Sequence, residues 1–331
     1  MYPVSSVRHL TKIKFSPDSK NQSIGDIAFF ISFIEQLTIL ASICELEPWC
    51  CYMSQLQSNK VETNNLNYKT DDENRNLIIG KSDINKEEYD DVIFVSRKIN
   101  LKKLILPDYI KRIRPFAFDC QIKTIEFSEN SKLQNIMSNS ISGEVENLFI
   151  PAGFEEFEDG WCKSNYFLKK VQISPFNKRY KNFETNDCLI IGKSDQNKDV
   201  YDELIFASRS FAKVTIPNYI RIIKPYAFYY CTIDEDEMNK RFDAGNFDFS
   251  NSIEFQEESK LQTIGKACFK YSFIREITIP KSVQTIGEFS FGYCRYLQSV
   301  AFEEGSKLQS IPNFLFQMSE LLKTVKIPTN S

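Results

Sequence analysis

A chain of 331 residues with 42% hydrophobic and 14% aromatic content, including 28 Phe, has ample material for a core. Its net charge of −3 and pI near 5.6 argue against a nucleic-acid binder, which would carry a basic patch or stripe. Eleven Gly and twelve Pro are too few for a collagen-like or low-complexity chain. The nine cysteines form no CxxC pair and His9 is the only histidine, so zinc-finger spacing is absent and no metal or cofactor is expected.

The first residues, MYPVSSVRHLTKIKF, contain no apolar h-region, so no signal peptide is expected. Residues Ile27–Cys44 are apolar enough to suggest a membrane segment, but Glu35 and Gln36 interrupt them and they fall short of the ~20 apolar residues a span needs. They also follow a pattern that recurs through the chain, so no transmembrane helix is expected. In the clearest copy, Ile274–Cys294, Ile277 and Ile279 alternate with polar residues as in a half-buried strand. Pro280 ends the strand because it has no N–H for a ladder. Val283, Ile286 and Phe291 then follow at +3, +6 and +11. The same offsets recur from Pro107 to Ile110, Ile113 and Phe118, and from Pro217 to Ile220, Ile223 and Phe228. A second phrasing replaces the proline turn with Ser-Lys-Leu and keeps the later spacing, as in Leu133-Ile136-Ile141, Leu261-Ile264-Phe269 and Leu308-Ile311-Phe316.

A longer period lies above the short one. Leu77–Arg97 and Leu189–Arg209 are near copies 112 residues apart, and the same offset links Ile13 to Ile125, Ile24 to Ile136, Trp49 to Trp161 and Cys50 to Cys162. A 112-residue duplication therefore links about 10–120 to 122–231, with residues 40–70 the least regular part. Residues 77–96 and 189–208 read as inserted β-hairpins, with strands at Leu77–Ile79 and Val92–Val95 in the first copy. An irregular insertion, 232–252, carries the acidic run Asp234-Glu235-Asp236-Glu237 before the short repeats resume.

One unit of about 23 residues, as from Ile277 to Val300, cannot close a core alone; stacked neighbours bury the Ile, Leu and Phe rows continuously. The expected fold is a β-dominated α/β solenoid formed as a single domain over residues 1–331. The segments around Ala117-Phe118 and Ala227-Phe228 are expected to make one short helical turn, with Pro115 and Pro225 in its first turn. Gly25, Gly265 and Gly287 share a position with Arg114 and Lys224, so positive φ is not obligatory there. Cys120, Cys231 and Cys294 share one row, which suits small buried apolar residues better than disulfides.

The phrase IxIPxxVxxIGxxAFxxC, together with GKSDxNKxxYDxLIFASR and Phe157–Cys162 (FEDGWC), resembles the BspA-type leucine-rich repeat proteins, described as surface antigens of bacteria and protozoan parasites. The resemblance covers nearly the whole chain, although the asparagine that usually follows the strand in leucine-rich repeats is missing. It implies a right-handed leucine-rich repeat solenoid with a parallel β-sheet on the concave face and short helical turns opposite. It also implies adhesion or protein binding without a reaction. A cell-surface or secreted place follows from the resemblance; the absence of a visible signal or anchor, with unpaired thiols, suits an intracellular scaffold instead.

Gly80-Lys81-Ser82 and Gly192-Lys193-Ser194 mimic the end of a P-loop, but the required earlier glycine is replaced by Arg75 and Asp187. A polar hairpin turn is the reading that remains. Catalysis by a Ser/His/Asp or Cys/His arrangement would need His9. Glu87-Glu88 and Asp90-Asp91 read as loop carboxylates, and the 234–237 run lacks a calcium-loop pattern. The adjacent Cys50–Cys51 is where a reactive thiol would be sought.

The remaining surface is the sheet face, where residues between the inward ones point to solvent. The residues expected to form a protein-binding face are Lys103, Ile105, Thr124, Glu126, Asn147, Phe149, Lys170, Gln172, Lys213, Thr215, Glu276 and Thr278. Ile105 and Phe149 are its large apolar members and the expected anchors. The expected partner is a protein or a host or cell-surface ligand. Solenoid ends normally need polar caps, and neither terminus supplies one, which points to a longer array or to end-to-end self-association.

Overall fold

The computed structural model describes residues 11–13, 15–16, 19–26, 28, 33–47, 50, 58–96, 101–184, 186–233, 238–240, 243–244, 248 and 250–327. His9, Trp49, Cys51 and the 234–237 run lie outside them. The chain divides into two compact units, Met1–Phe167 and Leu168–Ser331, and both are built from β-solenoid rungs with almost no helix. No helix among the described residues is long and apolar enough to cross a membrane.

Each regular rung contains a four-residue strand, a turn, a two-residue strand and a second turn. In the first unit, strands Lys103–Leu106, Thr124–Phe127 and Asn147–Ile150 form a parallel sheet in which Lys103, Thr124 and Asn147 stand in one register row. Exposure alternates along them, as the two-residue period of a strand requires: Leu104, Leu106, Ile125, Phe127, Leu148 and Ile150 are buried. The two-residue strands Arg112–Ile113, Asn135–Ile136 and Glu156–Phe157 make a second parallel sheet. The second unit repeats the plan. Glu276–Ile279, Ser299–Phe302 and Thr324–Lys326 pair in one sheet, and Ile222–Ile223, Thr263–Ile264 and Thr285–Ile286 pair in the other.

Stacked rungs align like side chains into columns. Phe228, Phe269, Phe291 and Phe316 form a row with ring centroids 5.3, 5.1 and 5.7 Å apart. Cys231 and Cys294 lie buried in their own column, where each thiol donates to a backbone carbonyl, Ser208 and Phe269 respectively. Ser290 precedes Phe291 and uses its hydroxyl to tie Gly265 O of the neighbouring rung to Gly287 O of its own.

The turn opposite the four-residue strands differs from the expected helical turn. Phe116, Tyr226, Ala267 and Phe289 have φ of 60°, 63°, 50° and 59°, which is left-handed and incompatible with a right-handed helical turn. In three of them the left-handed backbone aims the N–H group along the stack: Phe116 donates to Asn139 O, Tyr226 to Lys266 O and Ala267 to Glu288 O, at 2.9–3.1 Å. A left-handed L-residue costs about 1–2 kcal/mol. An unmet buried N–H costs about 1–3 kcal/mol, so the strained turn is the cheaper solution.

The hairpins also prove larger than expected. Tyr68–Thr70, Leu77–Gly80 and Asp91–Val95 form a three-stranded antiparallel meander, and Asp91–Val92 then pairs in parallel with Arg112–Ile113. The meander therefore extends the second sheet. The copy in the second unit, Tyr180–Phe183, Asn186–Gly192 and Glu203–Ala207, does the same onto Ile222–Ile223 and carries its bulge at the same place.

Gly265 has negative φ, as its shared position with Arg114 and Lys224 implied. What excludes a side chain there is close approach, since a Cβ would lie 2.4 Å from the nitrogen of Pro225 in the adjacent rung. Gly265→Ala should destabilise the protein by more than ~1 kcal/mol, the size of an ordinary glycine effect. Gly25→Ala, which meets nothing within 4 Å, should be neutral; equal effects in chemical denaturation would refute the close-approach account. Phe291 is fully buried between Phe269 and Phe316. Phe291→Ala should cost ~3–5 kcal/mol by leaving a cavity in the row, and a loss under ~1 kcal/mol would place it outside the core.

Candidate functional site

All twelve residues expected on the outward sheet face have side chains that are exposed or half-buried. In the first unit, one sheet brings Lys103, Ile105, Thr124, Glu126, Asn147 and Phe149 together. Lys103 Nζ pairs with Glu126 at 2.6 Å, and Asn147 Nδ2 reaches Thr124 Oγ1 at 3.5 Å. Ile105 is 59% exposed, whereas Phe149 is half-buried. In the second unit, Lys170 and Gln172 lie on Lys170–Ile173, while Lys213 pairs with Glu254 at 2.7 Å beside Thr215. Both ion pairs are solvent-exposed and contribute at most ~1 kcal/mol each. They set surface chemistry more than stability.

Glu276 belongs to a polar cleft of about 520 Å³ along the starts of the last strands, with Arg275, Asn251, Gln298 and Lys323 among its lining residues. Asp248, from the 232–252 insertion, closes one side and pairs with Arg275 at 2.8 Å. The Ser250 hydroxyl, the Ser250 N–H and Arg275 outweigh burial and hold the Asp248 carboxyl below the ordinary range. The repeat pattern alone did not reveal this cleft, because one wall comes from an insertion that breaks the pattern.

The P-loop-like segments have a structural use. Ser82 donates its N–H and its hydroxyl to Asp90 at 2.9 and 3.0 Å, and Ser194 does the same to Asp202 at 3.1 and 2.9 Å. A Cβ on Gly80 or Gly192 would come within 2.8 Å of Ile93 or Tyr180, so the glycine makes room for packing in the meander. Asp90 and Asp91, read from sequence as loop carboxylates, are buried at the start of a strand. Arg112 binds Asp91 through Nε and Nη2, both at 2.7 Å, and Lys111 binds Asp90 at 3.0 Å and Glu88 at 2.8 Å.

The duplication also retains a constellation that spacing alone did not single out. Lys69 and Lys81 both lie 5.3 Å from the centroid of the Tyr89 ring. Lys181 and Lys193 lie 4.6 and 4.9 Å from that of Tyr201, each residue 112 positions on. On the turn side of the second unit, Lys270 lies over Tyr271, Phe289 and Tyr293 at 5.0–5.3 Å, against a run of half-buried tyrosines. Burial drives the Cys268 thiol well above its ordinary value and the Cys294 thiol up to about 12, so both are neutral packing groups near pH 7. No group of three metal-ligating side chains occurs among the described residues.

The repeat geometry agrees with a comparison at the sequence level: six copies of the BspA type leucine rich repeat region match residues 90–201, 198–259 and 236–331. The chain belongs to the BspA type leucine rich repeat family. This BspA-type chain is similar in fold to the pneumococcal vaccine antigen PcpA (15% identity, TM-score 0.51, covering 92% of this chain and 73% of that one). A leucine rich cell surface protein from Faecalibacterium prausnitzii is likewise similar (14% identity, TM-score 0.53, covering 92% and 82%). A leucine-rich repeat protein from Eubacterium ventriosum matches at 18% identity and TM-score 0.47, and the chain spans less than two thirds of its length, 63%. No curated protein sequence matches the chain.

The Asp90 network gives the BspA-type chain a defined acid response. Burial pushes the Asp90 carboxyl up, but Lys111 and the two Ser82 donors outweigh it and hold it below the ordinary range. A depressed carboxyl contributes stability that is complete above its unfolded value, near ~3.9, and is lost as pH falls through the lowered folded value. Asp90→Asn should therefore lose on the order of 1–3 kcal/mol at neutral pH and flatten the acid limb of stability against pH. An acid limb identical to that of the natural protein would remove Asp90 from it.

Proposed function

We propose that this chain is a non-enzymatic interaction module that binds another protein or a cell surface. Binding would use the outward, concave-side face of the four-residue strands together with the loops of the meanders. The observation that carries this reading is the first-unit sheet face. There Ile105, 59% exposed, sits across the register from Glu126, which Lys103 holds at 2.6 Å, and Phe149 is on the next strand. A rigid sheet carrying an exposed apolar group beside a fixed charge pair suits an apolar anchor with a polar surround.

The chemistry of the interior supports a binding role over a reaction. Cys268 and Cys294 are held as thiols, and Asp90, Asp91 and Asp202 are tied to Ser, Lys or Arg partners within the meanders. The cell-surface description of the Faecalibacterium prausnitzii protein and the vaccine-antigen description of PcpA favour a place outside the cell. The buried thiols favour the alternative, an intracellular scaffold. Biotinylation of the chain on intact cells would reject the scaffold.

Ile105→Asp combined with Phe149→Asp should abolish capture of a partner without lowering the thermal midpoint, because neither side chain belongs to the buried core. Capture that survives both substitutions would place the binding face elsewhere.

A further inference from the structure

We propose that the polar cleft beside the 232–252 insertion is a binding site for a neutral sugar, which goes beyond the sheet face argued above. The cleft opens where the ladder of four-residue strands is interrupted inside the second unit. Ser252–Phe255 pairs with Lys213–Ile216, and Glu276–Ile279 pairs with Ser299–Phe302. Between these two pairs, a single bridge from Asn251 to Ile274 is all that joins the strands among the described residues. Both interrupted strands have rungs before and after them, so the opening belongs to the interior of the array.

Asn251 carries the argument. It lines the cleft and is 3% exposed, and neither its side-chain Oδ1 nor its Nδ2 has a hydrogen-bond partner among the described residues. The backbone N–H of the same residue donates to Phe273 O at 3.2 Å, so the amide is not what ties this rung to the next. A buried donor and a buried acceptor left unmet are unfavourable, and such a group calls for a partner from outside the protein. The terminal torsion of asparagine is broad, so the amide can turn to meet one.

The rest of the lining sets the chemistry. All ten residues around the cleft are polar or charged. Small-molecule sites are ordinarily lined by apolar and aromatic groups, so this one suits a ligand that is polar over its whole outline. Its charges balance, with Asp248 and Glu276 against Arg275 and Lys323. Asp248 and Arg275 already pair at 2.8 Å, whereas no described residue engages the side chains of Glu276 or Gln298. With no net charge to neutralise, an anion or a cation gains little there. A neutral sugar fits, because each hydroxyl both donates and accepts. Two neighbouring hydroxyls, one donating to Oδ1 and the other accepting from Nδ2, complete Asn251, and a third donates to Glu276. A peptide group offers the same donor and acceptor, but it brings carbon atoms that this lining does not receive. The volume of about 520 Å³ lies in the ordinary range for small-ligand sites.

The test is titration of the whole chain with the methyl glycosides of glucose, galactose, mannose and N-acetylglucosamine, read by calorimetry and by nitrogen-15 amide shifts. Concentrations reach about 20 mM, well above the Kd on the order of 1 mM expected for so small a ligand. At least one glycoside should bind and move the amides of Asn251 and Glu276. Asn251→Leu should weaken that binding about tenfold or more and leave the thermal midpoint unchanged or higher, because the amide gives up no hydrogen bond. Glu276→Ala, on the surface, should weaken binding at an unchanged midpoint. Failure of all four glycosides to bind overturns the proposal. So does binding that survives both substitutions, a midpoint lowered by Asn251→Leu, or a preference for glucuronate or glucosamine over the neutral sugars.

Discussion

The structure depends on one constraint: a rung of this length cannot satisfy its own backbone. Its strands are two to four residues long, and each strand N–H and C=O that leaves the rung must be met by the rung before or after. In the regular rungs the strands solve this with parallel ladders, as between Ile277, Val300 and Val325. The turns have no ladder to join, and the left-handed residues give them one by turning single N–H groups along the stack. A helical turn would have directed those N–H groups back into its own turn. Solenoid continuity, more than local preference, selects a conformation that Tyr and Phe otherwise avoid.

Columns follow from that ladder. Once successive rungs are in register, like positions lie roughly 5 Å apart, and aromatic rings at one position stack on each other. The Phe228–Phe316 row fills the interior, while tyrosines with Lys270 continue the stack on the outside of the turn. Aromatic pairs add about 0.5–1.5 kcal/mol beyond their buried area, comparable to the cost of the left-handed residues. The outer ring stack on the turn can therefore be explained by stability alone. The sheet face is different, because Ile105 gains nothing from its exposure.

Much of this architecture is legible in the residues. Proline at the strand end, with apolar residues at +3, +6 and +11, marks the strand, the short strand and the buried Phe, and in the rungs at Pro107, Pro217 and Pro280 each of those side chains is buried. The 112-residue offset likewise marks two meanders with a common bulge. Three things were not legible. Left-handed φ at Phe116 or Tyr226 leaves no trace in residue type, because the compensation comes from a carbonyl 23 or 40 residues away. The third meander strand, Tyr68–Thr70, lies where the repeat has decayed and no hydrophobic period remains. Of the candidate face, the exposure of Ile105 follows from alternation, but the half-burial of Phe149 depends on neighbours that alternation does not describe.

The meanders show how the same constraint is met where the repeat is interrupted. Asp91 opens the strand that rejoins the rungs, and it is fully buried. A buried carboxylate is strongly unfavourable alone, and breaking a buried pair typically costs 3–5 kcal/mol. Arg112, in register with Asp91 on the first short strand after the meander, supplies two hydrogen bonds to it. In the second copy the corresponding pair is Glu203 and Ile222, and Asp202 is instead served by Ser194, with Arg221 3.7 Å away. Registration of meander onto rung therefore does not require that ion pair; the shared elements are the Ser–Asp clasp and the parallel pairing itself. The Asp91–Arg112 pair is a local solution in the first unit, and the duplicated clasp is what holds each hairpin corner closed.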